Sequence, residues 1–274
     1  MLHLAAVQMR PAPMEPEENL LRIQRWMERC AEAGVQLAVF PECAVPGYFL
    51  TREEAERVAE PVPGPRSRAL SEACARCGLS AVVGTIERGT DGSLYNAAML
   101  LTADRQVTLY RKTHLLCLGV DRYLRRGEHL APVVSAAGAR LGLLICYDLR
   151  FPEPMRSLAL DGAQVVLLPT AWPASAAFYA DYLARARALE NGVYLVAANR
   201  AAEERGHAFL GRSLIVGPDG EILSRADGDE EAMLVAEIDP SRSDVKHRVF
   251  EPGEYEVDLT ADRRPELYGR LTER

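Results

Sequence analysis

Two patterns of apolar side chains alternate along this chain. In one, a short run is almost entirely apolar; in the other, apolar residues recur at three- and four-residue steps within longer polar segments. The first pattern is typical of β-strands and the second of amphipathic helices, so their alternation predicts an α/β fold. The predicted strands are Leu4–Met9, Leu37–Pro41, Ala81–Glu87, Tyr95–Thr102, Val107–Arg111, Leu141–Cys146, Val165–Pro169, Tyr194–Ala198, Ser213–Val216 and Met233–Ile238.

Several of these strands are continuously apolar instead of alternating with polar residues. Leu141–Ile145 and Val165–Leu168 are examples, and such runs suit strands that are covered on both faces. Pro218-Asp219-Gly220 has the composition of a turn between two short strands, which predicts an antiparallel hairpin. We therefore expect a mixed sheet and not a purely parallel one.

The amphipathic segments predict helices that each bury one face. Leu20, Ile23 and Met27 share one face of a first helix that runs from about Glu17 to Ala33, and Gly34 is a suitable stop. The other predicted helices are Arg66–Cys77, a segment that follows Phe151-Pro152-Glu153, and Ser175–Glu190, which ends at Asn191-Gly192.

The chain contains no internal repeat, low-complexity tract or linker that would divide it. Residues 1–245 are therefore expected to form one domain. From Lys246 the pattern weakens into a charged, turn-rich tail, residues 246–274. We expect this tail to pack across the body of the protein or to reach a partner subunit.

Net charge limits the classes of partner. The formal net charge is −7 and the isoelectric point about 5.4, so no global field attracts nucleic acid or an anionic membrane. A small-molecule substrate is the expected partner. The cluster of Arg122, Arg125 and Arg126 is a hint of an anionic substrate, although a solvated surface explains it more simply.

The N-terminus and the cysteines bear on the cellular compartment. Residues 1–9 lack the basic flank and long apolar run of a signal peptide, and no apolar stretch of the chain approaches the length of a membrane span. The chain has 6 cysteines, and free thiols in a reducing cytosol are the default without an export signal. The sequence thus predicts a cytoplasmic protein.

Three predicted strands lead directly into a chemically reactive side chain. These side chains are the carboxylate of Glu42, the amine of Lys112 and the thiol of Cys146. Ligands of open α/β sheets bind at the carboxyl ends of the strands, where these side chains are expected. A carboxylate can take the thiol proton, and an ammonium can stabilise a thiolate and an oxyanion. Taken singly, the three residues also suit a loop carboxylate, a solvated amine and a packed thiol.

Other candidate sites have weaker patterns. Cys74 and Cys77 have the spacing of a redox or metal pair, but they fall near the end of a predicted helix, which favours core packing. The five histidines form no metal-spaced pair, so no metal site is predicted. A cysteine–histidine protease with His207 as the base remains an alternative, although nothing near His207 supports that role.

The three reactive segments resemble the signature regions of the nitrilase superfamily, the carbon–nitrogen hydrolases. The resemblance covers roughly residues 3–240, and the segments occur in the family's order. Further matching strings lie after the nucleophile segment. All the matching strings are Phe40-Pro41-Glu42, Tyr110–Leu115, Ile145–Glu153, Leu168–Trp172, Arg187–Asn191, Gly211-Arg212-Ser213 and Pro218-Asp219-Gly220.

This resemblance implies a fold, an assembly and a set of catalytic roles. It implies a four-layer α-β-β-α sandwich with two mixed central sheets, and homodimers or higher homo-oligomers. It assigns Glu42 as general base and acid, Lys112 as transition-state stabiliser and Cys146 as the acylated nucleophile. No metal and no organic cofactor are implied.

The resemblance also suggests substrate-binding residues. Many members carry a second glutamate after the lysine; Asp121 is the nearest candidate here, with Glu128 a poorer one, and a surface-loop role for Asp121 is equally open. Trp172 is expected either to wall the pocket or to pack in the core. Tyr147 is expected to contribute its backbone N–H, whereas Arg150 and Glu153 are expected to tie down the nucleophile turn.

The residues after the nucleophile narrow the reaction. Nitrile-cleaving members typically have Trp-Glu there, and this chain has Tyr147-Asp148, which favours amides or carbamoyl compounds that release ammonia or an amine. A nitrile-cleaving enzyme and a catalytically silent binding protein of the same fold are the alternatives. Aliphatic amides, ω-amides of dicarboxylic acids and N-carbamoyl compounds all remain open as substrates.

Overall fold

The computed structural model describes residues 1–273. Its helices are α1 (Pro16–Glu32), α2 (Arg52–Val58), α3 (Pro65–Cys77), α4 (Pro152–Leu160) and α5 (Ala184–Asn191). Its strands are β1 (Leu2–Gln8), β2 (Leu37–Val39), β3 (Ser80–Arg88), β4 (Leu94–Leu101), β5 (Val107–Arg111), β6 (Val134–Ala136), β7 (Ala139–Leu143), β8 (Val165–Pro169), β9 (Tyr194–Ala198), β10 (Glu203–Glu204), β11 (His207–Ala208), β12 (Leu214–Val216), β13 (Ile222–Arg225), β14 (Ala232–Ile238), β15 (His247–Glu251) and β16 (Tyr255–Asp258).

Most strands belong to two six-stranded sheets. The strand order is β14-β1-β2-β3-β4-β5 in the first sheet and β13-β12-β9-β8-β7-β6 in the second. In each sheet the three strands β1-β2-β3 or β7-β8-β9 are parallel, and the outer strands pair antiparallel. The predicted mixed sheet and the hairpin at Pro218-Asp219-Gly220, which joins β12 to β13, are thus confirmed.

The two sheets pack face to face between layers of helices. Leu4 and Ala6 of β1 lie in the core between the sheets, whereas Ala5 and Val7 point to the opposite face, which α1 and α3 cover. This alternation follows from the period of two in a strand. Helices α4 and α5 cover the second sheet. The predicted four-layer α-β-β-α sandwich is confirmed.

The predicted helix Ser175–Glu190 is interrupted. A 3-10 turn at Ala174–Ala176 and a π-helical turn at Tyr179–Leu183 precede α5. A π-helical turn shifts the helical phase, so a periodicity of three and four residues does not reveal it. Helix α2, which begins at a capping box between Thr51 and Glu54, was also not predicted.

The tail contains structure that its sequence pattern did not predict. Strands β15 and β16 form an antiparallel hairpin. The ammonium of Lys246 donates to the carbonyls of Asn191 and Gly192 at 2.9 Å each, and the guanidinium of Arg156 donates to the carbonyl of Leu259. The tail therefore packs against α4 and the end of α5, and a domain boundary at residue 245 stays a prediction.

None of the helices within residues 1–273 has both the length and the apolar composition that crossing a membrane requires.

Candidate active site

The structure brings Glu42, Lys112 and Cys146 together at one end of the two sheets. β2 and β7 end a few residues before Glu42 and Cys146, so both side chains lie on turns, whereas Lys112 directly follows β5. All three side chains are buried. Burial strengthens the electrostatic interactions among them, because water does not screen them.

The Glu42 turn passes directly over β3. Phe40 N–H still donates to the carbonyl of Val82 on β3 at 2.8 Å. Beyond that point Gly84 leaves space for the turn, because a Cβ at Gly84 would lie 2.4 Å from the carbonyl oxygen of Pro41 and 2.8 Å from Cα of Glu42. A side chain at position 84 would therefore displace the carboxylate.

A buried arginine also holds the Glu42 turn. The guanidinium of Arg200 donates to the carbonyl oxygens of Glu42 and Cys43 at 3.2 and 3.3 Å. Arg200 is paired with Glu204, and the Glu204 carboxylate accepts the backbone N–H of Tyr48 at 2.9 Å. Buried charges of this kind need a partner and hydrogen bonds. Here Arg200 and Glu204 pair with each other, and both bind the backbone of the loop that carries Glu42.

Lys112 lies between two carboxylates. Its Nζ is 2.6 Å from Oε1 of Glu42 and 2.6 Å from Oδ2 of Asp121. The backbone N–H of Lys112 donates to the carbonyl of Asn96 on β4 at 2.8 Å. The β4–β5 pairing thus positions the backbone of Lys112, and the two carboxylates position its ammonium.

Asn96 links the same two carboxylates from the other side. Its Nδ2 donates to Oε1 of Glu42 at 2.6 Å and to Oδ1 of Asp121 at 2.7 Å. Cys43 donates its thiol proton to Oδ1 of Asn96 at 3.8 Å. Glu42, Asn96, Lys112 and Asp121 therefore form one buried network, which we call the carboxylate network.

Cys146 opens a sharp turn with an unusual backbone conformation. Its φ is +46°, a left-handed region that residues with a Cβ rarely occupy and that often marks functional sites. A 3-10 turn, Cys146–Arg150, follows directly, and α4 begins at Pro152. This backbone conformation places the thiol at the start of the turn.

Asp148 stabilises the turn of Cys146. Its Oδ2 accepts the backbone N–H of Ile145 at 2.9 Å and the hydroxyl of Tyr110 at 2.7 Å. Its Oδ1 accepts the hydroxyl of Thr113 and the backbone N–H of His114, at 3.0 and 3.1 Å. Asp148 thus ties the nucleophile turn to the segment that carries Lys112.

The two side chains expected to tie that turn to neighbouring structure have different surroundings. Arg150 lies 5.0 Å from the ring of Phe178, and the side chain of Glu153 is exposed. The guanidinium of Arg187 also binds the turn, through the carbonyls of Leu149 and Arg150 at 3.2 and 3.1 Å. The stacking of Arg150 on Phe178 links the turn to the segment before α5, whereas the side chain of Glu153 makes no such link among the described contacts, and Arg187 is a further support that the sequence did not predict.

The carboxylate network shifts the pKa values of its members. Burial raises the pKa of Glu42, and the positive charge of Lys112 offsets this only in part. Burial alone would lower the pKa of Lys112, but Asp121 and Glu42 hold it well above its ordinary value. Burial and the charge of Glu42 raise the pKa of Cys146. The thiol is therefore neutral at rest, beside a carboxylate of increased basicity.

Several buried polar side-chain atoms have no hydrogen-bond partner. Among the described residues, the buried side-chain atoms without a hydrogen-bond partner include Oε2 of Glu42, Oγ1 of Thr170 and Nε1 of Trp172. The Thr170 hydroxyl and the backbone N–H of Ala171 both act to lower the pKa of the Cys146 thiol. Unpaired buried polar atoms are costly, and they are tolerated mainly at functional sites.

The expected substrate-binding residues have different surroundings. Both carboxylate oxygens of Asp121 are bound within the carboxylate network. Trp172 is fully buried and stacks on Tyr179 at 5.2 Å between ring centroids. Tyr147 is half-buried, and its ring meets Phe151 edge-on.

The remaining candidates lie apart from the carboxylate network. Glu128 is exposed and pairs with Arg125, which also pairs with Asp91. His207 stacks on Phe49 at the surface. Cys74 and Cys77 lie in the last turns of α3. Among residues 1–273, no cluster of three or more His, Cys, Asp or Glu side chains could hold a metal ion.

Comparison with known proteins places the chain in a family. The model of the carbon–nitrogen hydrolase family matches residues 3–246. The chain belongs to the carbon–nitrogen hydrolases. The predicted superfamily and the predicted class of enzyme are thereby confirmed.

Named relatives are similar over most of their length. A nitrilase of Pyrococcus abyssi is 38% identical over 87% of this chain and 90% of its own. An omega-amidase of Xenopus laevis is 33% identical, over 86% of this chain and 88% of its own.

A solved relative has the same fold. The amidase of Nesterenkonia sp. AN1 matches with a TM-score of 0.81 and 30% identity, over 99% of this chain and 100% of that chain. A glutamate-to-glutamine variant of that amidase carries the acetamide moiety of fluoroacetamide on its active-site cysteine.

Proposed function

We propose that this carbon–nitrogen hydrolase cleaves small amides or carbamoyl compounds through an acyl-enzyme intermediate on Cys146. The observation that carries the proposal is the burial of a neutral thiol and of a carboxylate of raised pKa at the same end of the sheets, with an ammonium 2.6 Å from that carboxylate. Tyr147-Asp148 after the nucleophile and the relatives named as amidases favour amides over nitriles.

Glu42 is the proposed base. Oε1 binds Lys112 and Asn96, so Oε2 is left to receive the proton of the Cys146 thiol as Sγ bonds to the substrate carbonyl carbon. A raised pKa makes the carboxylate a better proton acceptor. The same raised pKa means that kcat/KM falls on the acid side at a higher pH than for an ordinary glutamate.

Lys112 is the proposed oxyanion partner. An ammonium has three N–H donors, and Glu42 and Asp121 accept two of them. The third can meet the oxygen that becomes negative in the tetrahedral intermediate, together with the backbone N–H of Tyr147 at the first turn of the 3-10 segment. The first backbone N–H groups of a helical turn have no partner within that turn, so they suit the binding of an oxyanion.

Asp121 is proposed to keep Lys112 charged, and not to reach the substrate. When Glu42 takes the thiol proton, it loses its negative charge and no longer supports the ammonium. Asp121 still lies 2.6 Å from Nζ and raises the pKa of Lys112. The lysine therefore remains an ammonium through the whole cycle.

The later steps return every group to its starting state. Protonated Glu42 gives its proton to the leaving nitrogen as the carbon–nitrogen bond breaks, and ammonia or an amine departs. Water then attacks the thioester and passes a proton to Glu42, which returns it to Sγ as the acid leaves. Trp172, with its unpartnered Nε1, is proposed to wall the pocket.

Ammonia release from a substrate panel tests this function. The panel contains aliphatic amides, ω-amides of dicarboxylic acids, N-carbamoyl amines and nitriles, with Cys146→Ala as the blank. We expect at least one amide or carbamoyl class to release ammonia together with the matching acid. Nitriles should be turned over far more slowly.

Two results would contradict the proposal. Turnover mainly of nitriles would assign the nitrile-cleaving alternative, which the relative named as a nitrilase represents. Failure of the whole panel, together with failure of fluoroacetamide to label Cys146, would favour a silent binding protein. Fluoroacetamide is an apt probe because it labels the active-site cysteine of a variant of the Nesterenkonia amidase.

A homodimer is also proposed. Tyr182 before α5 is 72% exposed, and Val249 and Phe250 of β15 are 52% and 57% exposed. Large exposed apolar side chains are typical of interaction surfaces. Light scattering should give twice the 30.2 kDa chain mass, and Tyr182→Glu should lower that mass; a monomeric wild type would contradict the proposal.

The cytoplasm is the proposed compartment. All 6 cysteines of the chain are free thiols, and Cys117 is exposed. Free thiols, a thiol nucleophile among them, are kept reduced in the cytosol.

A further inference from the structure

We propose that Asn96 is a positioning residue that directs the Cys146 proton to Oε2 of Glu42. This inference rests on the proposed function of Glu42 as the base. Neither the motifs nor the candidate residues of the sequence include Asn96. Asn96 bridges Glu42, the proposed base, and Asp121, which binds Lys112. The proposed role follows from this place in the carboxylate network.

The side-chain amide of Asn96 can be oriented in only one way. Its NH2 group faces Oε1 of Glu42 and Oδ1 of Asp121, and its oxygen accepts the thiol of Cys43. The reverse orientation would put the amide oxygen against two carboxylates. Asn96 also lies on β4, whose pairing with β5 continues to Lys112, so the amide projects from a rigid element.

This orientation decides which oxygen of Glu42 can hold a proton. Oε1 already accepts two donors, Nδ2 of Asn96 and Nζ of Lys112, each at 2.6 Å. A proton on Oε1 would face both donors, whereas Oε2 has no hydrogen-bond partner among the described residues. The proton that leaves Sγ of Cys146 therefore goes to Oε2. Asn96 itself makes and breaks no covalent bond.

The same donors prevent Asp121 from competing for that proton. Oδ1 accepts Nδ2 of Asn96 at 2.7 Å, and Oδ2 accepts Nζ of Lys112 at 2.6 Å. Two carboxylates this close would otherwise share one proton between them. Because one NH2 group supplies a donor to each, Asn96 occupies Oδ1 of Asp121 as well as Oε1 of Glu42, and Oε2 of Glu42 is the carboxylate oxygen of this pair that stays without a partner.

A neutral amide suits this position better than a charged group. A second cation would stabilise the ionised form of Glu42 and so weaken it as a base. A third carboxylate would raise the pKa of Glu42 further and leave it protonated over more of the pH range. Asn96 donates two hydrogen bonds and adds no net charge to the buried carboxylate network.

Asn96→Leu and Asn96→Asp test the role through the pH dependence of kcat/KM. Leucine removes both donors at similar volume, and aspartate keeps the shape but adds negative charge. Loss of a hydrogen bond to the ionised form raises a carboxyl pKa, and a like charge raises it further. We expect kcat to fall about 100-fold, with KM little changed and the acid limb moved to higher pH, more for Asp than for Leu.

The controls separate this inference from the function on which it rests. Asn191→Asp makes the same substitution at another buried asparagine, on α5, and should leave the acid limb unchanged. Glu42→Gln is run in parallel. If both folded Asn96 variants keep the wild-type acid limb while Glu42→Gln is inactive, the role of Asn96 is wrong. If Glu42→Gln turns over normally, the proposed function itself fails.

Discussion

Cys146→Ala is expected to abolish amide turnover while the protein stays folded. Removal of the nucleophile eliminates the acyl-enzyme route, and comparable substitutions in hydrolases that use a covalent intermediate cost about 10⁴-fold or more in kcat. The free energy of unfolding should change by only about 1 kcal/mol. One reason is that alanine and cysteine are similarly strained at the φ of +46° that position 146 requires.

Cys74→Ala is the matched control for this result. Cys74 is also fully buried, and burial raises its pKa to about 12, but it packs on α3 in the core between that helix and the first sheet. We expect its loss to cost similar stability and no activity. Turnover retained by Cys146→Ala, or lost equally in Cys74→Ala, would contradict the assignment of the nucleophile.

The sequence contains signals for the three proposed reactive residues but not for the residues that hold them. Glu42, Lys112 and Cys146 each carry a local signal, since each follows an apolar strand and has a reactive side chain. Asn96 has no such signal, because it sits within a strand and amides are common there. Its partners depend on the register of β4 with β5 and on a distant turn, which the sequence alone does not give.

Long-range pairing also hid the other supporting residues. Asp148 was interpreted only as a marker of amide or nitrile chemistry, yet it binds the segment from Tyr110 to His114. Arg200 and Glu204 are four residues apart, a spacing that in sequence is typical of an exposed helical ion pair. In the structure both are buried against the turn of Glu42.

The fold was predictable where burial alone decides the structure. Continuous apolar runs identified the central strands, because both faces of each sheet are covered. The interrupted helix before α5 and the helix α2 were not recovered, since a π-helical turn alters periodicity and a seven-residue helix carries little of it. The pattern of apolar residues thus predicts the layers of the fold, whereas local backbone geometry decides where the short helices begin and where a helix is interrupted.

Lys112→Met is expected to inactivate the enzyme and also to destabilise it strongly. Methionine has a similar length but no charge, so the buried carboxylates of Glu42 and Asp121 lose the ammonium that lies 2.6 Å from each. Breaking a buried ion pair from one side costs about 3–5 kcal/mol. Chemical denaturation gives the stability, and ammonia release gives the activity.

The pH dependence of that destabilisation identifies its cause. Without the ammonium, mutual repulsion raises the pKa of the carboxylate pair above its value in the unfolded chain. The folded variant then binds more protons than the unfolded chain, so its stability falls as pH rises from about 5 to about 8. In wild type Lys112 stays charged over that range because its pKa is well above the ordinary value, so the wild-type slope should be shallower.

Lys246→Met supplies the control, because Lys112 and Lys246 are the only lysines among 32 lysines and arginines. A chain that uses arginine almost everywhere has a lysine at position 112, where a compact ammonium with three donors lies 2.6 Å from both carboxylates. Lys246 binds only backbone carbonyls, and burial lowers its pKa to about 8, so its loss should spare activity and leave the slope between about pH 5 and 7 unchanged. Equal stability losses in the two variants, or a Lys112→Met enzyme with normal turnover, would rule out the proposed role of the ammonium.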